Sequence, residues 1–381
     1  MCKRSKIGQK DDLTILGSFL CLVTMFLEMK LYSNKEFCKI FLSLTLVCLF
    51  SACNPDPTRS KNQGNDSTNL LIAYLHQLPG GAEIQAEAKA KIGLLPANTP
   101  GSESDTQAQI TLGNKIFRDN TLSLNHVQSC HTCHPLNGNS AGMDGQSTSR
   151  GTFGQEGRRN APTILNVGYL PIIFWDGRKQ SLFDQAVAPF LDSLEMALPS
   201  EAELLLRLQN NSDYASLFQS AFPDSPAISI DSLRKAISAF ERSLISKSRF
   251  DDFIEWDLRA LNNEEKQGLK TFLDLGCTNC HNGYLLGGTQ FKKLDSFYSY
   301  NPSDLGRFEF TGNQDDKSFF KVPPLRNVTL TAPYFHDGSV RTLKEAVTRM
   351  NQYEMSRPMT DLEIDSIVTF LKSLSDKTKS N

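Results

Sequence analysis

Two pentapeptides constrain this 381-residue chain more than any other feature: Cys130-His131-Thr132-Cys133-His134 and Cys277-Thr278-Asn279-Cys280-His281. Both read C-x-x-C-H, the attachment frame for c-type haem. Two thiols three residues apart on one helical turn can each add to a porphyrin vinyl group. The histidine that follows offers its imidazole to the iron as proximal ligand. A thioredoxin-like redox pair would need a βαβ setting, and a zinc knuckle would need a second ligand pair close by. The sequence shows neither. The frames predict two covalent haems, one on Cys130, Cys133 and His134 and one on Cys277, Cys280 and His281.

The chain has nine cysteines, and those outside the two frames are Cys2, Cys21, Cys38, Cys48 and Cys53. Met29 is followed by Lys30, Lys35 and Lys39, then an apolar run from Ile40 to Phe50, then Ser51-Ala52-Cys53. A charged start, a short apolar run and small residues make a secretory signal. The run is short for a bilayer span, and small residues before a cysteine read as a lipobox. Residues 1–52 are therefore expected to be an export region, with Met29 as the true start and Cys53 as the lipid-bearing first residue. Residues 53–106 would be a tether and N-terminal extension, polar from Asn54 to Asn69. The expected product is a periplasmic lipoprotein held at the membrane by its N-terminal lipid anchor. The whole chain carries a net charge of −2, and loss of residues 1–52 strips more basic than acidic side chains. A mildly acidic remainder with no long basic run argues against a nucleic-acid partner.

The rest reads as mainly α with long loops. Ser200 with Glu203 and Thr360 with Glu363 fit capping boxes. Leu233, Ile237, Phe240 and Leu244 recur at helical spacing, as do Ile364, Ile367, Val368 and Leu371. An internal repeat organises the middle. Pro162-Thr163-Ile164-Leu165-Asn166-Val167, then Phe174-Trp175-Asp176-Gly177-Arg178, then Leu182, return 161 positions later. The second copy is Pro323-Pro324-Leu325-Arg326-Asn327-Val328, then Phe335-His336-Asp337-Gly338-Ser339, then Leu343. Each copy follows its own C-x-x-C-H. Two cytochrome c-like haem domains related by internal duplication are expected, at 107–245 and 246–381.

These residues resemble a known family, the bacterial di-haem cytochrome c peroxidases with their MauG-type relatives. The resemblance runs from about Gln107 to Leu374. It rests on Leu112-Gly113-Asn114-Lys115-Ile116-Phe117, Arg159-Asn160-Ala161-Pro162-Thr163, Phe174-Trp175-Asp176-Gly177-Arg178, Gln185, Glu195-Met196 and Ala332-Pro333-Tyr334-Phe335-His336-Asp337-Gly338.

The resemblance implies that hydrogen peroxide binds at the first haem and is reduced to water. Electrons would come from a small periplasmic cytochrome c or cupredoxin. Glu195 would be the acid/base over that haem, Gln185 would orient peroxide, and Trp175 would relay electrons between the haems. The second haem would store electrons and take Met350 as sixth ligand, with Met355 and Tyr353 as the competing choices. A calcium ion would sit on the Asn160 side chain and the carbonyls of Thr331 and Pro333. The family is often dimeric, so a homodimer is implied, although no stretch marks its surface. One departure stands out. Many relatives rest with a distal histidine on the first haem, supplied by the loop that here reads Arg150-Gly151-Thr152-Phe153-Gly154-Gln155-Glu156-Gly157. No histidine occurs between His134 and His281, and the expected position falls near Thr152. An open or water-filled sixth site on the first haem is expected, with Met143 of the same loop as the competing ligand. A MauG-type oxidase acting on a protein side chain and a non-enzymatic di-haem electron carrier are the alternatives.

Overall fold

The computed structural model describes residues 81–294 and 303–379. The export region, Cys53 and the polar stretch 54–69 lie outside these residues. No described helix is long and apolar enough to cross a membrane. Eight described helices reach ten residues or more. They are α1 (Gly81–Lys91), α2 (Gln107–Phe117), α3 (Glu201–Asn210), α4 (Ser212–Ala221), α5 (Ile230–Arg242), α6 (Asn263–Asp274), α7 (Leu343–Glu354) and α8 (Asp361–Lys372). The mainly helical class expected from the sequence is observed. It is joined by one antiparallel ladder of β1 (Phe291–Lys293) and β2 (Phe319–Lys321), with Phe291 opposite Lys321.

Capping fixes where these helices begin. Thr106, Ser229, Asn262 and Thr360 each accept from the backbone three residues on and receive the reciprocal bond, so α2, α5, α6 and α8 all start on full capping boxes. Ser200 caps α3 through the Glu203 N–H, but the return bond is missing. The Glu203 carboxylate turns along the helix to Arg207 Nε at 2.7 Å instead.

Two helix crossings carry the body. In the first half α2 crosses α5 at Gly113, where an added Cβ would stand 2.0 Å from Ala236 O and 2.7 Å from Phe240 Cβ. In the second half α6 crosses α8 at Gly268, where the same atom would meet Ser366 O at 2.0 Å and Phe370 Cβ at 2.9 Å. Each crossing brings two backbones closer than any side chain permits, and a phenylalanine one turn on closes the gap. Separate cores form around them. Leu112, Ile116, Phe190, Leu208, Tyr214 and Ile237 fill the first. Phe250, Phe253, Leu269, Phe272, Ile367 and Phe370 fill the second. Helix α1 belongs to the second core through Ala88, joined by Ile92 just past its end, so the extension ahead of the first half packs on the other half. Its apolar stripe is too thin to announce this in a sequence of mostly Ala, Glu, Gln and Lys.

The repeat is geometric as well as textual. Asn166 and Asn327 both have φ of 63°, Phe174 and Phe335 have 67° and 69°, and Gly177 and Gly338 have 68° and 59°. One-turn 3₁₀ segments follow both asparagines, at Val167–Tyr169 and Val328–Leu330. Isolated bridges close both loops, Ile173 with Lys179 and Tyr334 with Val340. Every pair is 161 residues apart. A left-handed phenylalanine is uncommon, and finding it twice at one offset argues that the loop shape itself is the repeated unit.

Gly113→Ala and Gly268→Ala should each destabilise the protein by roughly 1–3 kcal/mol, through overpacking at the crossing. Thermal unfolding would show the fall in Tm. The exposed Lys115→Ala on α2 should move it little.

Candidate active site

The first C-x-x-C-H begins as a single helical turn, Cys130–Cys133, with Ser129 and Thr132 forming a capping box around it. His134 follows, its N–H bonded to Cys130 O at 2.9 Å. The second frame makes a 3₁₀ turn, Cys277–Asn279, and His281 N–H returns to Cys277 O at 2.8 Å. Both imidazoles are then fixed alike. His134 Nδ1 meets Gly142 O at 2.9 Å, and His281 Nδ1 meets Leu286 O at 3.1 Å. A backbone carbonyl on Nδ1 leaves Nε2 as the metal-binding nitrogen and sets the ring plane. Burial holds both rings below the ordinary histidine range, in the neutral form a metal takes. All four thiols are free of disulfides. These features fit a covalent haem at each frame.

The predicted residues of the first half converge. Cys133, His134, Asn160, Trp175, Gln185 and Glu195 line two joined cavities. The inner one is largely apolar, with Phe117, Ile164, Ile173 and Leu182 in its wall. The outer one passes Arg150, Arg158, Arg178, Asp192 and the exposed Phe310. Burial raises the Glu195 carboxyl, with the Asp192 carboxylate adding to it. Arg178 and Arg158 pull the other way, and the group settles at about 7. The loop 149–157 closes over this end as a tight turn, with Gly157 N bonded to Ser149 O and Gly151 N to Gln155 O, both at 2.8 Å. Thr152 of this loop is buried. Its N–H donates to Glu195 O at 2.8 Å, and its hydroxyl and carbonyl are both bonded to the Asn125 amide. The loop is thus pinned to the Glu195 segment without any metal ligand of its own.

Trp175 stands where the halves meet. Its Nε1–H donates to Asn160 O at 2.9 Å, and its own carbonyl accepts from Lys321 N–H at 2.7 Å. His336, the repeat counterpart, lies edge-on to it at 6.3 Å and stacks on Phe320 at 4.0 Å. The His336 carbonyl accepts from Asn160 N–H at 2.7 Å. Asn160 turns its amide nitrogen to Gln146 O at 2.8 Å, which leaves Oδ1 for another partner. Thr331 and Pro333 line the inner cavity with it. Met350 lies in α7, one turn before Glu354 on the same face. Among the charges acting on the Cys280 thiol is Glu354, so the end of α7 borders the second frame. Met355 is the extended residue that closes the helix.

Comparison with known proteins is then direct. The profile of the di-haem cytochrome c peroxidase family matches residues 107–259. The cytochrome c551 peroxidase of Pseudomonas aeruginosa is 38% identical over 321 residues, 81% of this chain and 91% of that protein. The chain belongs to the di-haem cytochrome c peroxidase and MauG family. The methylamine utilization protein MauG of Methylophilus methylotrophus is 33% identical, over 72% of this chain and 84% of its own. A solved MauG-like protein associated with microbial copper homeostasis superposes with a TM-score of 0.67 at 28% identity, covering 75% of this chain and 95% of that one. Membership implies two haem c groups.

Several residues of this region were given no role by the sequence. Arg159, present there only as part of a motif, is the chief one. Its guanidinium binds Asp304 through Nε and Nη2 at 2.6 and 2.7 Å, Asp176 at 2.6 Å and Glu309 at 3.2 Å. It ties the loop of one half to a carboxylate pair of the other. Its partners lie up to 150 residues away, and no local pattern links them. Glu241 is another. It is buried in the inner cavity with Oε2 unpartnered among the described residues, and burial pushes its carboxyl up to about 8 against the pull of Arg242. A carboxylate on the apolar face of α5, four residues after Ile237, was the available signal.

Burial alone would raise the Asp304 carboxyl, but its bonds to Arg159 hold it below the usual range. It therefore contributes stability at neutral pH that is lost as pH falls through the carboxylate range. Arg159→Met should cost roughly 3 kcal/mol at pH 7, since it leaves a half-buried carboxylate unpaired. The gap to wild type should narrow as pH drops toward 4. Thermal unfolding across pH measures both.

Proposed function

We propose that this protein reduces hydrogen peroxide to two waters, taking two protons and two electrons, the electrons arriving singly from a small cytochrome c or cupredoxin. The observation that carries the reading is Glu195, a carboxyl raised to about 7 in a cavity shared with Gln185, Trp175 and the first C-x-x-C-H. Family membership supports it. We read 107–245 and 246–381 as two cytochrome c-like haem domains made by duplication.

The haem groups supply the iron at which peroxide is reduced and the path for electrons. The protein's own residues do the rest. The Glu195 carboxylate takes the proton from one peroxide oxygen and returns it to the other, so that the second oxygen leaves as water when the O–O bond breaks. A group that must both accept and give a proton works best with a pKa close to the working pH, and burial supplies that shift. Gln185 offers an amide to hold peroxide in line. Trp175, bonded to Asn160 O, offers a rigid indole between the halves for electron transfer. Met350 would be the further side chain that holds the second haem, since it shares a helix face with Glu354, whose charge reaches Cys280; a thioether there would raise the potential, as an electron-accepting centre needs. Tyr353, the ligand of the MauG-type alternative, is engaged at 3.4 Å by Arg349. Asn160 Oδ1 with the carbonyls of Thr331 and Pro333 makes an oxygen set suited to calcium completed by water.

The pinned loop supports the reading that the first haem would meet peroxide with no loop side chain to displace. With Thr152 bonded to Asn125 and Glu195 O, nothing in the loop has to leave before peroxide enters. The fully oxidised protein should react with peroxide without prior reduction and show a high-spin haem by EPR. A resting spectrum of low-spin haem alone, or an inert diferric form, would refute this.

Steady-state turnover with reduced cytochrome c tests the mechanism. Glu195→Gln should lower kcat/KM for peroxide by about 100-fold or more. In wild type kcat/KM should rise with pH and level off above about 7, because the raised pKa keeps Glu195 protonated and inert as a base below that point. Equal rates in the two proteins would exclude Glu195 as the acid/base. Turnover of a protein side chain in place of cytochrome c would favour the MauG-type alternative.

A further inference from the structure

Lys321 breaks the ordinary rules of burial. Lysine is among the side chains least often buried unless it is paired, yet this one is 5% exposed. It ends β2 and is anchored by its backbone, with its N–H on Trp175 O at 2.7 Å and Phe291 of β1 opposite. An ammonium has three donors. One reaches Ile172 O at 3.1 Å. The carboxylate that acts on it is Asp176, and that group is already bound by Arg159 at 2.6 Å and Arg178 at 3.0 Å. Burial pushes the ammonium down to about 8, with Asp176 opposing. A cation this short of partners in a cavity wall calls for an anion that fills the cavity.

The cavity that Lys321 lines is the one that Cys130, Cys133 and His134 line. A haem c attached at the two cysteines has its vinyl edge there, and its two propionates leave the opposite edge of the ring. The charge environment differs between the two places. The Cys130 thiol feels Glu241 first among charges, while Lys321 feels Asp176. We propose that Lys321, supplied by the second half, binds a propionate of the haem held by the first half. The inference rests on the reading that the first frame holds a covalent haem. It would add a link across the halves that runs through the group itself, with a positive charge in the cavity wall that Trp175 shares. A nearby cation favours the reduced iron, so Lys321 raises the potential of the first haem.

The test uses the full di-haem protein and the variants Lys321→Met, Lys321→Gln and Lys321→Arg. Pyridine haemochrome analysis first counts two covalent haems per chain. One haem only, missing from Cys130 and Cys133, would sink the haem reading rather than this proposal. A redox titration followed by absorbance then resolves the two centres, and resonance Raman reads the propionate bending bands. In Lys321→Met the reduced-to-oxidised ratio of the first haem, held at the wild-type midpoint, should fall about tenfold. The propionate band should move, and the second haem should keep its potential. Lys321→Arg should restore most of both changes. An unchanged first haem and propionate band in Lys321→Met would overturn the proposal, as would a shift confined to the second haem. If Lys321→Met fails to load haem, the other two decide. Arg near wild type with Gln displaced supports the link, and Arg and Gln alike overturns it.

Discussion

The grip of Arg159 on Asp304 and Asp176 is the contact on which the rest of the site depends. Arg159 and Asn160 are neighbours. The first holds Asp176 of its own half and Asp304 and Glu309 of the other, and the second bonds through its N–H to His336 and through its carbonyl to Trp175. Trp175 in turn carries the Lys321 backbone. One short segment therefore sets the register between the halves, the orientation of the indole and the wall of the inner cavity. A buried arginine with two carboxylates is not a device for raw stability, since desolvation cancels much of its gain. Its value is directional. A planar fork with fixed donors admits few relative positions of the elements that it joins.

One repeated loop shape presents two different side chains at the same junction. The loop after each C-x-x-C-H keeps its left-handed asparagine, its left-handed phenylalanine and its left-handed glycine at the same offset. The side chain between the last two changes, Trp175 in one copy and His336 in the other. The repeated shape delivers both to the junction, where they meet edge to edge. The halves diverge again beyond the loop. After Leu182 the first copy makes a single turn that ends at Gln185 and runs on to Glu195, while after Thr342 the second makes the three-turn α7 that carries Met350. A single helical turn and a three-turn helix thus grow from equivalent points.

Much of this was legible in the sequence because it is local. The cysteine frames, the capping of α8 by Thr360 and the two loop copies each lie within a few residues, and the structure has them as read. Family membership, drawn from Gln107 onward, agrees with the matched region. The placement of α1 was not legible, since Ala88 and Ile92 are two small contacts on and just past a polar helix. The pair of Ser200 with Glu203 was half right, because Arg207 competes for the carboxylate at the next turn. Asp304 and Glu309 gave no signal, for their meaning depends on an arginine far away in the chain. Lys321 gave a faint one: a single charge inside Phe319-Phe320-Lys321-Val322 is a burial problem in search of a partner.

Three charged side chains in the wall of the inner cavity are displaced in the directions that burial dictates. The Glu195 and Glu241 carboxyls are raised and the Lys321 ammonium is lowered. Each is a group that the protein would hold more cheaply if it were apolar, and three such groups in one cavity wall mark a surface shaped for something other than its own stability. In the readings proposed above, Glu195 would meet peroxide and Lys321 a propionate, so two of these costs would be offset only when the cavity is filled.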